Sequence, residues 1–258
     1  IFSKEISFSY QNSQMTFLDT PGHNDFSCEM ERTLQVLDYA ILVISAKDGI
    51  QAHTKTIWKL LQTYQIPTFI FVNKMDRENA NFDKVLDQMK EMFGTSVVPI
   101  QYPIGKESDF NGIINVISKT ALVYNAKTSK METSEIPEDL KDKVEECKQM
   151  VMEAVAETDE ELLDKYLNDG ELCDEDIYNG LIKGCANGDI APVLCGSAIK
   201  MIGIKSMINS IIKCFPSPEH SLPQKAINLS NDEEVFINID DDKPFSAFVF
   251  KTIADPFV

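Results

Sequence analysis

The sequence predicts an α/β fold with a doubly wound, mostly parallel sheet, because apolar runs and amphipathic stretches alternate over the first 98 residues. Two short apolar runs, YAILVIS at 39–45 and PTFIFV at 67–72, suit strands that are buried on both faces of a parallel sheet. Apolar residues recur at helical spacing over 26–37 and again over 53–64. The strand–helix alternation is typical of this fold class.

Further elements are predicted on either side of this pattern. A hairpin joined near Asn12 precedes it, with strands over 6–10 and 15–18. The remaining predictions are short strands over 97–123, a helix over 140–167, a strand over 191–195, a helix over 204–214 and a strand over 245–251.

The composition excludes several classes of protein. With 258 residues, 43% hydrophobic content and no apolar run of ~20 residues, the chain shows no membrane-spanning pattern. The net charge of −17 argues against a broad phosphate-contacting surface for nucleic acid. The six cysteines are widely spaced without a C-x-x-C pair, which favours buried thiols in a reducing cytoplasm over zinc ligands or disulfides.

The first motif with chemical content is Asp19-Thr20-Pro21-Gly22, followed by His23, at the end of a predicted strand. An Asp at this edge of a sheet can hold Mg²⁺ through a water, because Mg²⁺ prefers oxygen ligands and keeps part of its hydration shell. Gly22 lets its backbone N–H approach a terminal phosphate, and His23 can orient an attacking water. An ordinary turn with a surface histidine is the alternative reading of the motif alone.

The second motif is Asn73-Lys74-Met75-Asp76, at the end of the apolar run PTFIFV. A carboxylate at Asp76 can accept hydrogen bonds from both N1–H and the 2-amino group of guanine, a match that adenine does not offer. The Asn73 side chain can brace the loop, and the Lys74 stem can cover the ring.

The third motif is Gly196-Ser197-Ala198, directly after the predicted strand 191–195. Small residues there allow backbone N–H groups to reach guanine O6. Alone this turn carries little information, but three strand-end motifs in this order favour a guanine-nucleotide site.

Together, DTPGHNDF at 19–26, NKMD and GSA resemble the motifs of translational GTPases, specifically elongation factor G. The resemblance implies a P-loop GTPase-type doubly wound sheet, an inserted α+β subdomain, and the start of a β-barrel domain. The spacer between Asp76 and Gly196 fits such an insertion, since a crossover needs only about 30 residues. The expected divisions are 1–98 and 186–218 for the GTPase domain, 99–185 for the insertion, and 219–258 for a linker and the first barrel strand.

The resemblance also implies roles. Asp19, Thr20, Pro21, Gly22 and His23 would bind GTP or GDP with Mg²⁺, with His23 catalytic once ribosomal RNA orients it. Guanine would be selected by Asn73, Lys74, Met75 and Asp76, supported by Gly196, Ser197 and Ala198. The expected partners are the ribosome and, through the acidic insertion, a ribosomal stalk protein. The resemblance also implies that the protein is a cytoplasmic monomer that does not bind a membrane.

The sequence lacks the family's phosphate loop, G-x-x-x-x-G-K-[ST], and the segment with the second Mg²⁺-binding Thr. Both are expected before residue 1, so the chain alone is not expected to hydrolyse GTP. Without the strand that leads into that loop, the apolar segments MTFL and YAILVIS would present open strand edges.

Two alternative functions remain open. The segment ISAKDGIQAHT at 44–54 is similar to ribosome-protection GTPases of the tetracycline-resistance type, whereas the insertion is more similar to elongation factor G. A non-catalytic ribosome-binding paralogue is the other alternative. Retention of Asp19 and His23 argues against it, and the absent phosphate loop argues for it.

Overall fold

The computed structural model describes residues 3–22, 27–94, 96–125, 127–128, 130–215, 217–218, 224–240 and 242–252. The chain divides into two compact units. The larger unit is residues 39–215, and the smaller one combines 1–38 with 216–258.

The larger unit is built on a parallel four-stranded sheet, which confirms the predicted α/β class. Its strands, in sheet order, are β3 (Ala40–Ser45), β4 (Thr68–Asn73), β10 (Ala191–Cys195) and β5 (Val97–Pro99). The predicted strand over 191–195 is confirmed residue for residue. Because β4 and β10 are central, their apolar side chains are buried on both faces, which for β4 confirms the prediction from the continuous run PTFIFV.

Strand β3 differs from its central neighbours. Among the described strands it pairs only with β4, so it forms an edge of this sheet. Its side chains alternate in burial, with Leu42 and Ile44 in the core and Val43 57% exposed. The prediction of burial on both faces is therefore wrong for β3, because one of its faces is partly open to solvent.

Three helices of the larger unit contribute apolar side chains to the same core. They are α2 (Ala52–Thr63), α3 (Phe82–Phe93) and α7 (Ile204–Cys214). Helix α3 begins where the Asn81 side chain accepts a hydrogen bond from the Lys84 N–H at 3.0 Å, and it ends at Gly94, whose φ is +89°.

A second sheet lies in the chain between β5 and β10, although these two strands are themselves paired neighbours. It is antiparallel and consists of β6 (Gln101–Ile104), β7 (Gly112–Asn115), β8 (Thr120–Asn125) and β9 (Lys130–Ser134). Three helices follow, namely α4 (Lys141–Ala156), α5 (Glu160–Asp169) and α6 (Asp174–Asn187).

The single helix predicted over 140–167 is wrong, because α4 and α5 are separate helices. Thr158 Oγ donates to the Val155 carbonyl at 2.7 Å, within the last turn of α4. The Asp159 carboxylate accepts from the Glu161 N–H at 2.9 Å and caps α5. These local side-chain bonds end one helix and start the next.

The smaller unit contains the predicted hairpin, formed by β1 (Lys4–Tyr10) and β2 (Ser13–Asp19). Gln11 and Asn12 join the strands with φ of 47° and 62°, the conformation of a tight hairpin turn. Helix α1 spans Ser27–Leu34, shorter than the pattern over 26–37 predicted.

The C-terminal part of the smaller unit departs from prediction. A second hairpin, β11 (Gln224–Asn228) with β12 (Glu233–Ile237), lies in the stretch predicted as a linker. The strand predicted over 245–251 is not formed. No described strand pairs with this segment, and an extended segment without a partner cannot satisfy its backbone groups as a strand does.

Candidate guanine-nucleotide site

The Asn73 side chain connects two of the predicted motifs. Asn73 is the last residue of β4, and its backbone carbonyl accepts a hydrogen bond from the Ala46 N–H at 2.8 Å. Its side-chain Oδ1 accepts from the Lys74 N–H at 2.7 Å and from the Ala198 N–H at 3.0 Å. The amide oxygen therefore joins the loop after β4 to the loop after β10.

Met75 anchors the loop that carries Asp76. Its side chain is 1% exposed, and its N–H donates to the Gly196 carbonyl at 3.2 Å. Lys74 adopts a positive φ of 64°, which turns the chain sharply before this anchor. Consequently Lys74 is exposed and Asp76 half-buried, on either side of a buried methionine.

The loop after β10 depends on a glycine. The Gly196 N–H donates to the Val72 carbonyl at 3.0 Å, which continues the pairing of β10 with β4. A Cβ at Gly196 would lie 2.4 Å from the Ile202 carbonyl oxygen and 2.8 Å from Phe71 Cζ. Only glycine allows the backbone this close approach.

Ser197 and Ala198 have different surroundings. Ser197 is completely buried, its N–H donates to the Ile202 carbonyl at 2.9 Å, and its Oγ accepts from the Lys200 N–H at 3.2 Å. Ala198 is exposed, and its N–H is the one held by Asn73. Of the two residues, Ala198 is therefore the one at the surface.

The described residues of the Asp19 motif belong to the smaller unit. Asp19 ends β2 opposite Lys4 and is exposed. Thr20 and Pro21 are half-buried, while Gly22 is exposed with no atom within 4 Å of where a Cβ would be. His23 lies outside the described residues. The structure thus brings the Asn73 and Gly196 motifs together, and it describes the Asp19 motif as part of a different unit.

The turn between β6 and β7 contributes a residue that the sequence analysis missed. The Glu107 N–H donates to the Met75 carbonyl at 3.0 Å, and the Glu107 carboxylate accepts from the Asn79 N–H at 2.8 Å. Gly105, with a φ of 74°, begins the turn that carries Glu107. That glycine was a visible turn signal, but the pattern did not indicate which loop the turn would contact.

Asp19 offers one exposed carboxylate, which fits a hydrated Mg²⁺ held through water. Within the described part of the chain, no group of three or more His, Cys, Asp or Glu could hold a metal by protein ligands alone. In the same part of the chain, every helix is too short or too polar to cross a membrane.

The family of elongation factor Tu GTP-binding domains matches residues 1–217. The chain belongs to this family and is a GTP-binding domain of the translational GTPase type. It is also similar to a protein from Thermus thermophilus whose crystal structure superposes with a TM-score of 0.77. The sequence identity is 27%, over 84% of this chain, and the match spans 32% of the Thermus chain.

Proposed function

We propose that the chain is part of an elongation factor G-type GTPase that binds and hydrolyses GTP to drive ribosomal translocation. The observation that carries the proposal is the Asn73–Ala198 hydrogen bond of 3.0 Å, which joins the NKMD and GSA motifs at one edge of the sheet. The carboxyl ends of parallel strands are where open α/β folds bind their ligands.

Guanine recognition follows from the chemistry at this edge. The Asp76 carboxylate accepts from guanine N1–H and from the 2-amino group, which gives a bidentate pair. The Ala198 N–H donates to guanine O6, either sharing its proton with Asn73 or exchanging that partner for the base. The Lys74 stem covers one face of the ring. Adenine presents an unprotonated N1 acceptor and a C2–H to Asp76, offers no donor for either hydrogen bond, and is rejected.

The phosphate side follows from the Asp19 motif. Asp19 holds the Mg²⁺ hydration shell, and Mg²⁺ supplies charge stabilisation for the phosphates when it is bound. Gly22 has open space around its Cα, so its backbone N–H can approach a γ-phosphate. His23 positions the hydrolytic water.

The inserted sheet and helices favour elongation factor G over other members of the superfamily. They occupy the chain between β5 and β10 and carry many acidic side chains on α4, α5 and α6. This acidic surface would meet a ribosomal stalk protein, and the ribosome would be the main partner of a cytoplasmic monomer. The divisions 1–98, 99–185, 186–218 and 219–258 remain our proposed domain boundaries.

A ribosome-protection GTPase of the tetracycline-resistance type is the second candidate. The segment ISAKDGIQAHT favours it; this segment forms the end of β3 and the start of α2. Stimulated release of tetracycline from ribosomes, without stimulation of translocation, would support this candidate over elongation factor G.

Ribosome-stimulated hydrolysis tests the proposal. The intact protein should bind GDP and GTP with Mg²⁺, reject ATP, and hydrolyse GTP faster with ribosomes. His23→Ala should keep nucleotide binding but lower stimulated hydrolysis by at least about 100-fold, the contribution of a positioned catalytic group. Hydrolysis that is equally fast with His23→Ala would contradict the assigned role.

A further inference from the structure

We propose that the turn between β6 and β7, residues 105–110, positions the guanine-recognition loop, with Glu107 as the positioning residue. This turn belongs to the inserted sheet rather than to the sheet that ends at the nucleotide motifs. The inference rests on the proposed guanine binding and adds a determinant of base specificity outside the three motifs.

The Met75 backbone is held from two sides. Its N–H donates to the Gly196 carbonyl at 3.2 Å, and its carbonyl accepts from the Glu107 N–H at 3.0 Å. Both bonds flank a side chain that is 1% exposed. Because Asp76 is the next residue, the orientation of its carboxylate depends on how firmly this peptide is fixed.

Glu107 also fixes the far end of the same loop. Its carboxylate accepts from the Asn79 N–H at 2.8 Å, and Asn79 has a positive φ of 66°. A charged acceptor strengthens such a bond and holds Asn79 in a conformation that few non-glycine residues adopt. One residue thus contacts the backbone on both sides of Asp76.

The backbone at Glu107 is itself strained, since its φ is 55°. Gly105, with a φ of 74°, packs so closely on the Asp109 carbonyl that a Cβ would lie 2.2 Å from it. A left-handed backbone conformation at a non-glycine residue costs free energy, and it persists where the surrounding structure holds the residue in place. The surroundings here are the guanine-recognition loop.

The same turn reaches the second base-binding loop through Lys200. The Lys200 Nζ donates to the Phe110 carbonyl at 3.4 Å, and Phe110 is 1% exposed. The Lys200 N–H donates to Ser197 Oγ, so the lysine that contacts the turn is also bonded to the GSA motif. The turn therefore touches both loops that are proposed to bind the base.

The test measures the affinity of the intact protein for GDP and for inosine diphosphate, which lacks the 2-amino group that Asp76 would bind. Glu107→Ala and Glu107→Met remove the acceptor, and the Met variant keeps the side-chain length in case the Ala variant does not fold. Glu107→Gln keeps an acceptor oxygen. Asp109→Ala, which removes an exposed carboxylate from the same turn, is the matched control.

We expect Glu107→Ala and Glu107→Met to reduce the GDP-to-inosine-diphosphate preference about three- to tenfold, as expected for a weakened hydrogen bond. Glu107→Gln and Asp109→Ala should keep the preference of the unmodified protein. An unchanged preference in a folded Glu107→Met variant, with Asp76→Asn abolishing the preference, would overturn the positioning role and leave guanine recognition intact. If the unmodified protein shows no guanine preference, the proposed function itself fails, and this inference fails with it.

Discussion

The side-chain oxygen of Asn73 accepts a hydrogen bond from the backbone N–H of Ala198 at 3.0 Å, across a sequence separation of 125 residues. The same oxygen accepts from the Lys74 N–H at 2.7 Å. One amide group therefore joins the loop that carries Asp76 to the loop that carries Ala198. The spacing of the proposed base-binding groups depends on it.

Asn73→Ala should weaken GDP binding by about tenfold or more, because two backbone donors lose their acceptor and the two loops lose their connection. The free energy of unfolding should fall by about 1 kcal/mol. Asn81→Ala is the matched control, since Asn81 Oδ1 caps α3. It should cost a similar ~1 kcal/mol in urea unfolding while leaving GDP affinity unchanged. Equal losses of GDP affinity in both variants would contradict a specific role for Asn73.

Gly196→Ala should destabilise the protein by about 2 kcal/mol, because the new Cβ overlaps a backbone oxygen that cannot move away easily. The overlap is with the Ile202 carbonyl at 2.4 Å. Gly22→Ala meets nothing within 4 Å and should change the free energy of unfolding by less than about 0.5 kcal/mol. Gly22→Ala should nevertheless impair GTP hydrolysis if its N–H senses the γ-phosphate. Thermal unfolding and hydrolysis assays on the two variants separate these effects.

The Glu29 carboxylate makes the free energy of unfolding depend on pH in the acidic range. Its hydrogen bonds from Lys251 and Ser3 lower the pKa of Glu29 from 4.5 to about 2. A carboxylate with a lowered pKa stabilises the fold above its unfolded-state pKa, and this contribution disappears as pH falls from about 4.5 towards 2.

Glu29→Gln should therefore be less stable than the unmodified protein at pH 7, and the difference should shrink as the pH falls below 4.5. Urea unfolding at pH 7, 4 and 3 measures the difference. The effect at pH 7 should be clear because the side chains of Glu29 and Lys251 are only 9% and 8% exposed, so the variant replaces a largely buried ion pair with a bond to a neutral amide. A difference that stays constant across this range would contradict the assignment to Glu29.

The cysteines should fall into two classes of reactivity. All six are free thiols, but only Cys28 and Cys173 are exposed, so the prediction that the thiols are buried is wrong for these two. Burial raises the pKa of Cys147 to about 12 and that of Cys214 to about 11, and it also raises the pKa values of Cys185 and Cys195.

A thiol reagent at pH 7 should therefore modify Cys28 and Cys173 rapidly and the other four only after unfolding, because the thiolate is the reactive species. Mass spectrometry of the native and urea-unfolded protein measures this. Rapid labelling of Cys195 in the native state would show that the central strand is accessible.

Local patterns predicted the elements that local sequence determines. Strand β10 and helix α7 have the predicted limits. The strand is a continuous apolar run and the helix has apolar residues at helical spacing, and turn residues flank both. The break before α5 was missed because it depends on side-chain capping by Asp159, which an apolar count does not detect. The strand over 245–251 was predicted from alternation alone, and alternation does not supply a partner strand.

The same distinction applies to the candidate site. The NKMD and GSA motifs, each at the end of a predicted strand, predicted a guanine-nucleotide site, and the Asn73–Ala198 bond joins these two motifs. The contacts of Glu107 were not predictable, because they depend on where the sheet formed by β6 to β9 packs in three dimensions. Sequence periodicity defines the face of an element, but not which loop a distant turn will contact.

The most direct test of the account is binding of GDP and ADP to the intact protein with Mg²⁺, with Asp76→Asn and Asp109→Asn measured in parallel. We predict GDP binding at least about 100-fold tighter than ADP binding, as two lost base hydrogen bonds imply. Asp76→Asn should abolish this preference, and Asp109→Asn should preserve it. Equal affinity for GDP and ADP, or a GDP preference that survives Asp76→Asn, would contradict the claim that this loop reads guanine.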